Sequence, residues 1–463
     1  MEQISQLIGA VNNLLYSYVL IALLLALGTY FSIKTGFIQV RYVGEMFRLL
    51  GGKSSKSKNG ISSFQAFCIS IASCVGTGNL AGVAIAIVIG GPGAVFWMWL
   101  IALLGSASAF VESTIAQVYK EKNGTAFKGG PAYYIEKALH CRWLGLVFAV
   151  LISITYGLVF NSVQANTISF AFENAFGIGR TSVAITLFIL TGLVIFGGIH
   201  RIASISEKIV PFMAVIYVLI VLAVLAININ KLPGIIVLIV KSALGPEQFM
   251  GGALGAAVMQ GIKRGLFSNE AGMGSAPNAA ATAHVTHPVK QGLVQTLAVF
   301  TDTLVVCSAT AFLILVSGTY KTSSADGIAL TQEALTSQIG SFGGPFVAIC
   351  IFLFAFSSLV GNYYYGEANI QFLCPKNKFF LNIYRVACLF MISFGSVAEL
   401  TFVWNLADLF MALMAFINIY AIIRLGGIAK RCLDDYIAQK KAGKDPVFKA
   451  KEVGITENVE CWD

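Results

Sequence analysis

Residues 73–99 read SCVGTGNLAGVAIAIVIGGPGAVFWMW, and residues 265–280 read GLFSNEAGMGSAPNAA. Each sets glycines beside polar side chains inside a run apolar enough for a membrane. The first holds Gly76, Thr77, Gly78 and Asn79; the second holds Ser268, Asn269, Glu270, Gly272, Gly274 and Pro277. Glycine weakens a helix interior by about 1 kcal/mol relative to alanine. In hydrocarbon an unsatisfied backbone group costs several kcal/mol, so irregular backbone persists only where it is buried or lines a cavity. Amides and carbonyls freed at such breaks can replace the water around a polar ligand and an ion. The plainer reading, close helix packing through small residues, suits AGVAIA and GGPGA. It leaves Asn79 and Glu270 unexplained, and a carboxylate at mid-depth is by default functional.

The elements that must carry these residues follow from composition. The chain is 57% hydrophobic and 11% charged, with a mean hydropathy of +0.79; a soluble protein carries roughly 25% charged residues. The bilayer is therefore the main solvent. The net charge of +9 does not point to nucleic acid, because the basic residues are spread between apolar runs. The nine cysteines show no CxxC pair, and Cys68, Cys74, Cys307 and Cys350 lie inside apolar runs as small packing residues. MEQISQLIGA lacks the basic start of a signal peptide, so the first apolar run reads as a retained span.

At about 20 apolar residues per span, the sequence offers about eleven: 15–33, 62–90, 93–119, 143–170, 181–199, 207–229, 250–283, 287–317, 343–365, 380–399 and 402–424. Residues 232–248 read as an interfacial helix, and KGGPAYY (128–134) as a turn before a membrane-surface helix. With the N-terminus outside, about two dozen Lys and Arg fall on inside loops and the tail. Only Arg180, Lys231, Lys241 and Lys321 fall outside, the asymmetry expected of cytoplasmic loops. Lys263, Arg264 and Arg385 are left over. The expected organisation is an extra span and basic loop (1–60), a five-helix repeat (61–229), a linker (230–249), a second five-helix repeat (250–425) and a basic cytoplasmic tail (426–463), read as a solvated helix. The two broken spans open the two blocks. Five spans per block invert one block relative to the other, and interrupted helices in corresponding places point to a transporter's binding site. His140, His200, His284 and His287 sit at inside ends, where a solvated or capping role is the default.

VGTGNLAGVAIAI, GGPGAVFWMW, KRGLFSNEAGMGSAPNAAA and GNYYYGEANI resemble the alanine or glycine:cation symporter family of prokaryotes over nearly the whole chain. The resemblance implies an all-α membrane protein with the leucine-transporter-like fold: one extra N-terminal helix before a 5+5 inverted-repeat core with two unwound helices. It implies sodium-driven uptake of small neutral amino acids, alanine and glycine foremost, across the plasma (inner) membrane. The protein would be a monomer in lipid with no enzymatic activity and the co-transported sodium ion as its only cofactor.

The resemblance also assigns residues. The amides of Thr77 and Gly78, with Asn79, would meet the substrate carboxylate at a half-helix N-terminus. Carbonyls of Ala72, Val75 and Phe354 and the hydroxyls of Ser357 and Ser358 would hold sodium, as hard oxygen ligands suit it. Phe267 would be an aromatic lid. Asn269 would take the substrate ammonium, Gly272 and Met273 would line the side-chain pocket, and Gln164, Asn161 and Asn362 would add contacts. Ser268 and Asp302 would form a second cation site, with Asp302 alternatively a proton site or a partner of Lys263 or Arg264. Glu270 is a proton site or an acceptor of backbone amides. Arg264 and Asp408 would close the outer gate. A proton-coupled carrier using Glu270 or Asp302 is the alternative. An uncoupled channel predicts a polar stripe through several spans, whereas here the polar residues cluster at mid-depth.

Overall fold

The computed structural model describes residues 2–51, 61–124, 126–245, 253–375 and 377–462. Lys53, Lys56, Lys58 and Lys376 of the expected inside loops, the end of the linker and residues 250–252 lie outside them. The described chain is almost wholly helical. Helix α1 (Glu2–Leu15) runs through a π-turn into α2 (Ile21–Lys34), so the expected span 15–33 is part of a longer rod. The short α3 (Ile38–Arg41) and amphipathic α4 (Val43–Gly51) follow, and Glu45 of α4 bonds Arg48 at 2.5 Å.

Helix α5 (Ser63–Cys74) starts at a capping box, in which Ser62 and Gln65 satisfy each other's backbone amides. After a break come a π-helical turn (Gly78–Gly82) and α6 (Val83–Gly90), bent 50° from α5. Then come α7 (Gly93–Val118), a hairpin pairing β1 (Glu121–Asn123) with β2 (Ala126–Lys128), and α8 (Pro131–Leu139). The helix expected after KGGPAYY begins inside it, at Pro131, with its first five residues buried; the hairpin had no strand-length apolar alternation to announce it. Helices α9 (Arg142–Ile154) and α10 (Asn161–Phe176) form one rod through a π-turn. Next are α11 (Arg180–Ile195), α12 (Gly198–Ile227) and α13 (Leu232–Leu244), the interfacial helix of the sequence reading.

The second block begins with α14 (Ala253–Asn269), an irregular stretch, and the short α15 (Ala276–Ala280). Helices α16 (Pro288–Phe300) and α17 (Ser308–Ser317) again join through a π-turn. Residues 318–342, read as an outside loop, contain α18 (Gly327–Ile339); its sequence GIALTQEALTSQI is too polar to register as a span. Then follow α19 (Gly343–Leu373), α20 (Lys378–Val397) and α21 (Leu400–Lys441). Among the described residues seven helices, or eight counting the bent pair, are long and apolar enough to cross a membrane.

Packing sorts these helices into two groups around one continuous core. Helix α7 lies against α14 and α16, while α10 lies against α19 and α20. Helix α12 bridges them, touching both α5 and α19. The expected solvated-helix tail is only half right. Helix α21 does run on to Lys441, but residues 442–462 leave it as irregular chain with turns and bury Phe448 and Trp462, which pack on each other.

Candidate functional site

The break after α5 is shaped by what must approach it. A Cβ on Gly76 would collide with Ser358 Oγ and the Gln164 amide, so no other residue fits without displacement. Asn79 Oδ1 accepts from Gly76 N–H at 2.9 Å, and Gln164 Oε1 accepts from Thr77 N–H at 2.9 Å. The amide expected to meet a substrate carboxylate is therefore satisfied by a glutamine oxygen.

Directly beside the break, Ser357 Oγ lies 3.5 Å from Ala72 O and Ser358 Oγ 3.4 Å from Val75 O. Both hydroxyls donate to Phe354 O, at 2.8 and 3.1 Å. Each hydroxyl has one proton, and Phe354 takes both. The carbonyls of Ala72 and Val75 thus face hydroxyl lone pairs. Separations near 3.4 Å are what neighbouring ligands make around a hard cation with oxygens at about 2.4 Å. All five residues are buried, so the oxygen surplus has no water to relieve it.

A second cluster lies above. Asp302 accepts from Asn79 Nδ2 (2.7 Å), Ser268 Oγ (2.8 Å) and Thr303 Oγ1 (2.9 Å). Cys307 Sγ is 3.1 Å from Ser268 Oγ and 3.3 Å from Asn79 Nδ2. All three carboxylate donors are neutral, and the expected alternative pairing of Asp302 with Lys263 or Arg264 is not what the structure has. Both bases sit on Asp408 Oδ2, Lys263 at 2.8 Å and Arg264 at 2.7 Å. The sequence foresaw Arg264–Asp408 and offered Lys263 only Asp302; Lys263 is instead the third member of the Asp408 cluster. Arg264 stacks on Trp404 and Lys263 on Tyr16, whose hydroxyl donates to Asp408 O at 3.0 Å. Trp404 in turn packs on Phe267, and Phe267 on Phe160. The expected lid is thus wedged between the gate and α9–α10.

At the second break Glu270, Gly272 and Gly274 have left-handed backbone, with φ of 56°, 83° and 86°. Glu112 of α7 accepts from Gly272 N–H and Gly274 N–H, both at 3.1 Å, and from Asn418 Nδ2 at 2.6 Å. Asn418 also donates to Gly272 O and accepts from Tyr134 OH. This corrects one alternative for Glu270: the acceptor of the freed amides is Glu112. Glu270 accepts instead from Ser73 Oγ (3.0 Å) and Ser275 Oγ (2.7 Å), because its carboxylate points across to α5. Sequence reading missed Glu112, although a lone acid in the apolar run GSASAFVESTIAQV is a signal of this kind.

The remaining candidates divide. Asn362 Oδ1 lies 2.7 Å from Ser73 Oγ, which brings α19 to the first break. Asn269 Oδ1 accepts from Ala271 N–H within its own loop, while its Nδ2 is buried with no partner among the described residues. Met273 is fully buried. Asn161 bonds Gly157 O on its own helix, and no hydrogen bond among the described residues takes it to either break. His287 caps α16 through Val289 N–H and faces Asp435; His140 is exposed beside Glu457.

Comparison with known proteins fits this geometry. Residues 1–450 match the model of the sodium:alanine symporter family. The chain is 56% identical to the probable sodium/glutamine symporter GlnT of Bacillus subtilis (strain 168), over 100% of this chain and 97% of that one. It is 54% identical to the amino-acid carrier protein AlsT of the same organism, over 99% and 98%. Among solved structures, MhsT in complex with L-phenylalanine superposes with a TM-score of 0.58 at 14% identity, covering 85% of this chain and 91% of that one; the shared architecture is the leucine-transporter fold. With two broken helices meeting at an oxygen-rich, buried centre, the chain belongs to the sodium:alanine symporter family, whose members couple sodium to amino-acid transport.

Proposed function

We propose that the protein takes up small neutral amino acids with sodium by alternating access, as a monomer in the plasma membrane with the N-terminus outside and the tail in the cytoplasm. The architecture in this reading is eleven spans, an extra helix before two inverted five-helix repeats. The observation that carries it is the convergence of Ala72, Val75 and Phe354 carbonyls with Ser357 and Ser358 hydroxyls. That set is sodium's. The substrate carboxylate displaces Gln164 from the Thr77 amide, and the amides of Thr77 and Gly78 with Asn79 hold it. The ammonium meets Asn269 and the carbonyls of the second break. Gly272 and Met273 bound the side chain. Alanine and glycine are the first candidates, and glutamine joins them because of the relative named for it.

Asp302 supports a second cation. A buried carboxylate with only neutral donors is costly, and among the described residues no base neutralises it. Sodium beside Asn79, Ser268 and Asp302 removes that cost; a proton on Asp302 or Glu270 does so equally, and is the second reading.

In this reading the Lys263–Arg264–Asp408 cluster gates one side of the centre, and the pairing of Ile61 with residues 282–284 gates the other. Proteoliposomes test the reading, with sodium and proton gradients imposed separately and radiolabelled alanine and glutamine outside. Inward sodium alone should concentrate the substrate. Uptake driven only by protons moves coupling to Asp302 or Glu270, and no concentrative uptake with either gradient overturns the function.

A further inference from the structure

The strip that pairs Ile61 with residues 282–284 is covered by the C-terminal tail. Ile61 N–H donates to Thr282 O, and His284 N–H to Ile61 O, at 3.3 and 2.9 Å. This strip is held from behind: Gln117 Nε2 and Lys120 Nζ both donate to Ala283 O, at 3.0 and 2.9 Å. Lys120 is almost fully buried, its ammonium 4.2 Å from the Phe127 ring and 4.7 Å from the Trp462 ring. Trp462 Nε1 donates to Gln117 O at 2.7 Å. The tail is fastened along the way, with Phe448 N–H to Thr286 O, Thr286 Oγ1 to Pro446 O, and Asn458 Nδ2 to Lys137 O at the end of α8. It therefore spans from the strip before α16, across the end of α7, to α8, which packs on α9 of the other helix group.

We propose that Trp462 is a positioning residue for transport: it covers Lys120 and fixes the Ala283 strip, so that the docked tail sets how often the inner face opens. The inference rests on the alternating-access reading above. The indole and the Phe127 ring shut water away from Lys120, whose amine keeps one hydrogen bond to Ala283 O, and without the indole Lys120 would reach solvent and the strip would lose its backing. Burial pushes the Lys120 amine down to about 7, whereas an uncovered lysine titrates near 10.4. The groups facing it are Cys461 on the tail and His284 on the strip, with Lys122, Lys137 and Glu460 farther out. The uncovered state binds the extra proton, so docking releases it. Raising the internal pH from about 7 toward 10 favours the docked tail, and lowering it below 7 adds nothing further.

The test uses the full chain in proteoliposomes, comparing wild type, Trp462→Ala and Trp462→Phe for external sodium half-saturation and for uptake against internal pH. A population shift toward the inward-open form should raise the sodium half-saturation of W462A by about tenfold and flatten its response to internal pH above 7. Trp462→Phe keeps a ring over Lys120 and should recover most of both. Sodium half-saturation and pH response unchanged in W462A would overturn the latch while leaving the symport reading intact; a wild type that does not use sodium would overturn the reading itself. If W462A does not assemble, Phe448→Ala, which frees the tail at its other buried anchor, takes its place: an unchanged sodium half-saturation in that variant would sink the proposal.

Discussion

Two amides, of Gly272 and Gly274, converge on one carboxylate, and that arrangement determines what a change at Glu112 does. Glutamine in its place offers one acceptor and one donor, so one amide is left facing N–H. An unsatisfied buried group costs about 1–3 kcal/mol. Glu112→Gln should lower the thermal midpoint in detergent and weaken substrate binding; an unchanged melting curve would show that the loop supports itself. At the first break, Asn79→Leu removes both the cap on Gly76 N–H and the donor to Asp302, and should abolish amino-acid binding measured by calorimetry on a protein that still elutes as a single species. Full retained affinity would remove Asn79 from the pocket. Replacing Ser357 and Ser358 together by alanine takes two oxygens from a five-oxygen set, so the sodium needed for half-maximal uptake should rise by roughly tenfold or more; an unchanged value would place the ion elsewhere. The oxygen set was named from the sequence only through the family resemblance, since main-chain carbonyls carry no residue-type signal of their own. Glu112 was passed over because it lies in an unbroken helix, where no irregularity drew attention to it. The partner of Lys263 was hidden for another reason: Asp408 is 145 residues away along the chain, and only the fold says that one carboxylate serves two bases.

Among elements, glycine placement explains why the helices stop where they do. Gly274 has a left-handed φ of 86° and is enclosed by Pro131, Asn418 and Phe148, so Gly274→Ala meets both backbone strain and neighbours with no room to yield. It should destabilise the protein by about 1 kcal/mol for the backbone alone, with more for the crowding, and yield little folded protein after extraction. Gly272→Ala shares the strain but has ordinary spacing around it, and should express better; equal behaviour of the two would discount packing. Both breaks could be read from sequence, since close helix packing accounts for the glycines but not for Asn79 and Glu270 beside them. Helix α18 could not, for its hydrophobic and polar residues mix at a length below a span. Yet Thr331 of α18 donates to Leu80 O in the π-turn, so a segment read as loop reaches the first break.

For the whole molecule, closure is distributed. On the side proposed as outer, Asp408 is the one carboxylate that pairs with both Lys263 and Arg264, buried to 1% exposure, and removing it leaves the buried cations uncompensated at a cost of about 3–5 kcal/mol. Asp408→Asn should therefore favour the state in which those bases reach water. A thiol reagent added outside should modify Cys307 faster in this variant than in wild type, and equal rates would show that the outer closure does not depend on the cluster. Composition announced the membrane, and charge asymmetry announced an orientation. The burial of the tail was invisible because a basic, polar segment reads as solvated until its few aromatics find a surface. Helix α21 connects these ends. Asp408 sits near its start and Asp435, which faces His287, near its finish, about 40 Å apart along a single rod at 1.5 Å per residue. On the alternating-access reading, a stiff member bearing a contact at each end works like the shared bar of a canal lock, since a rod this long cannot swing at one end without carrying the other.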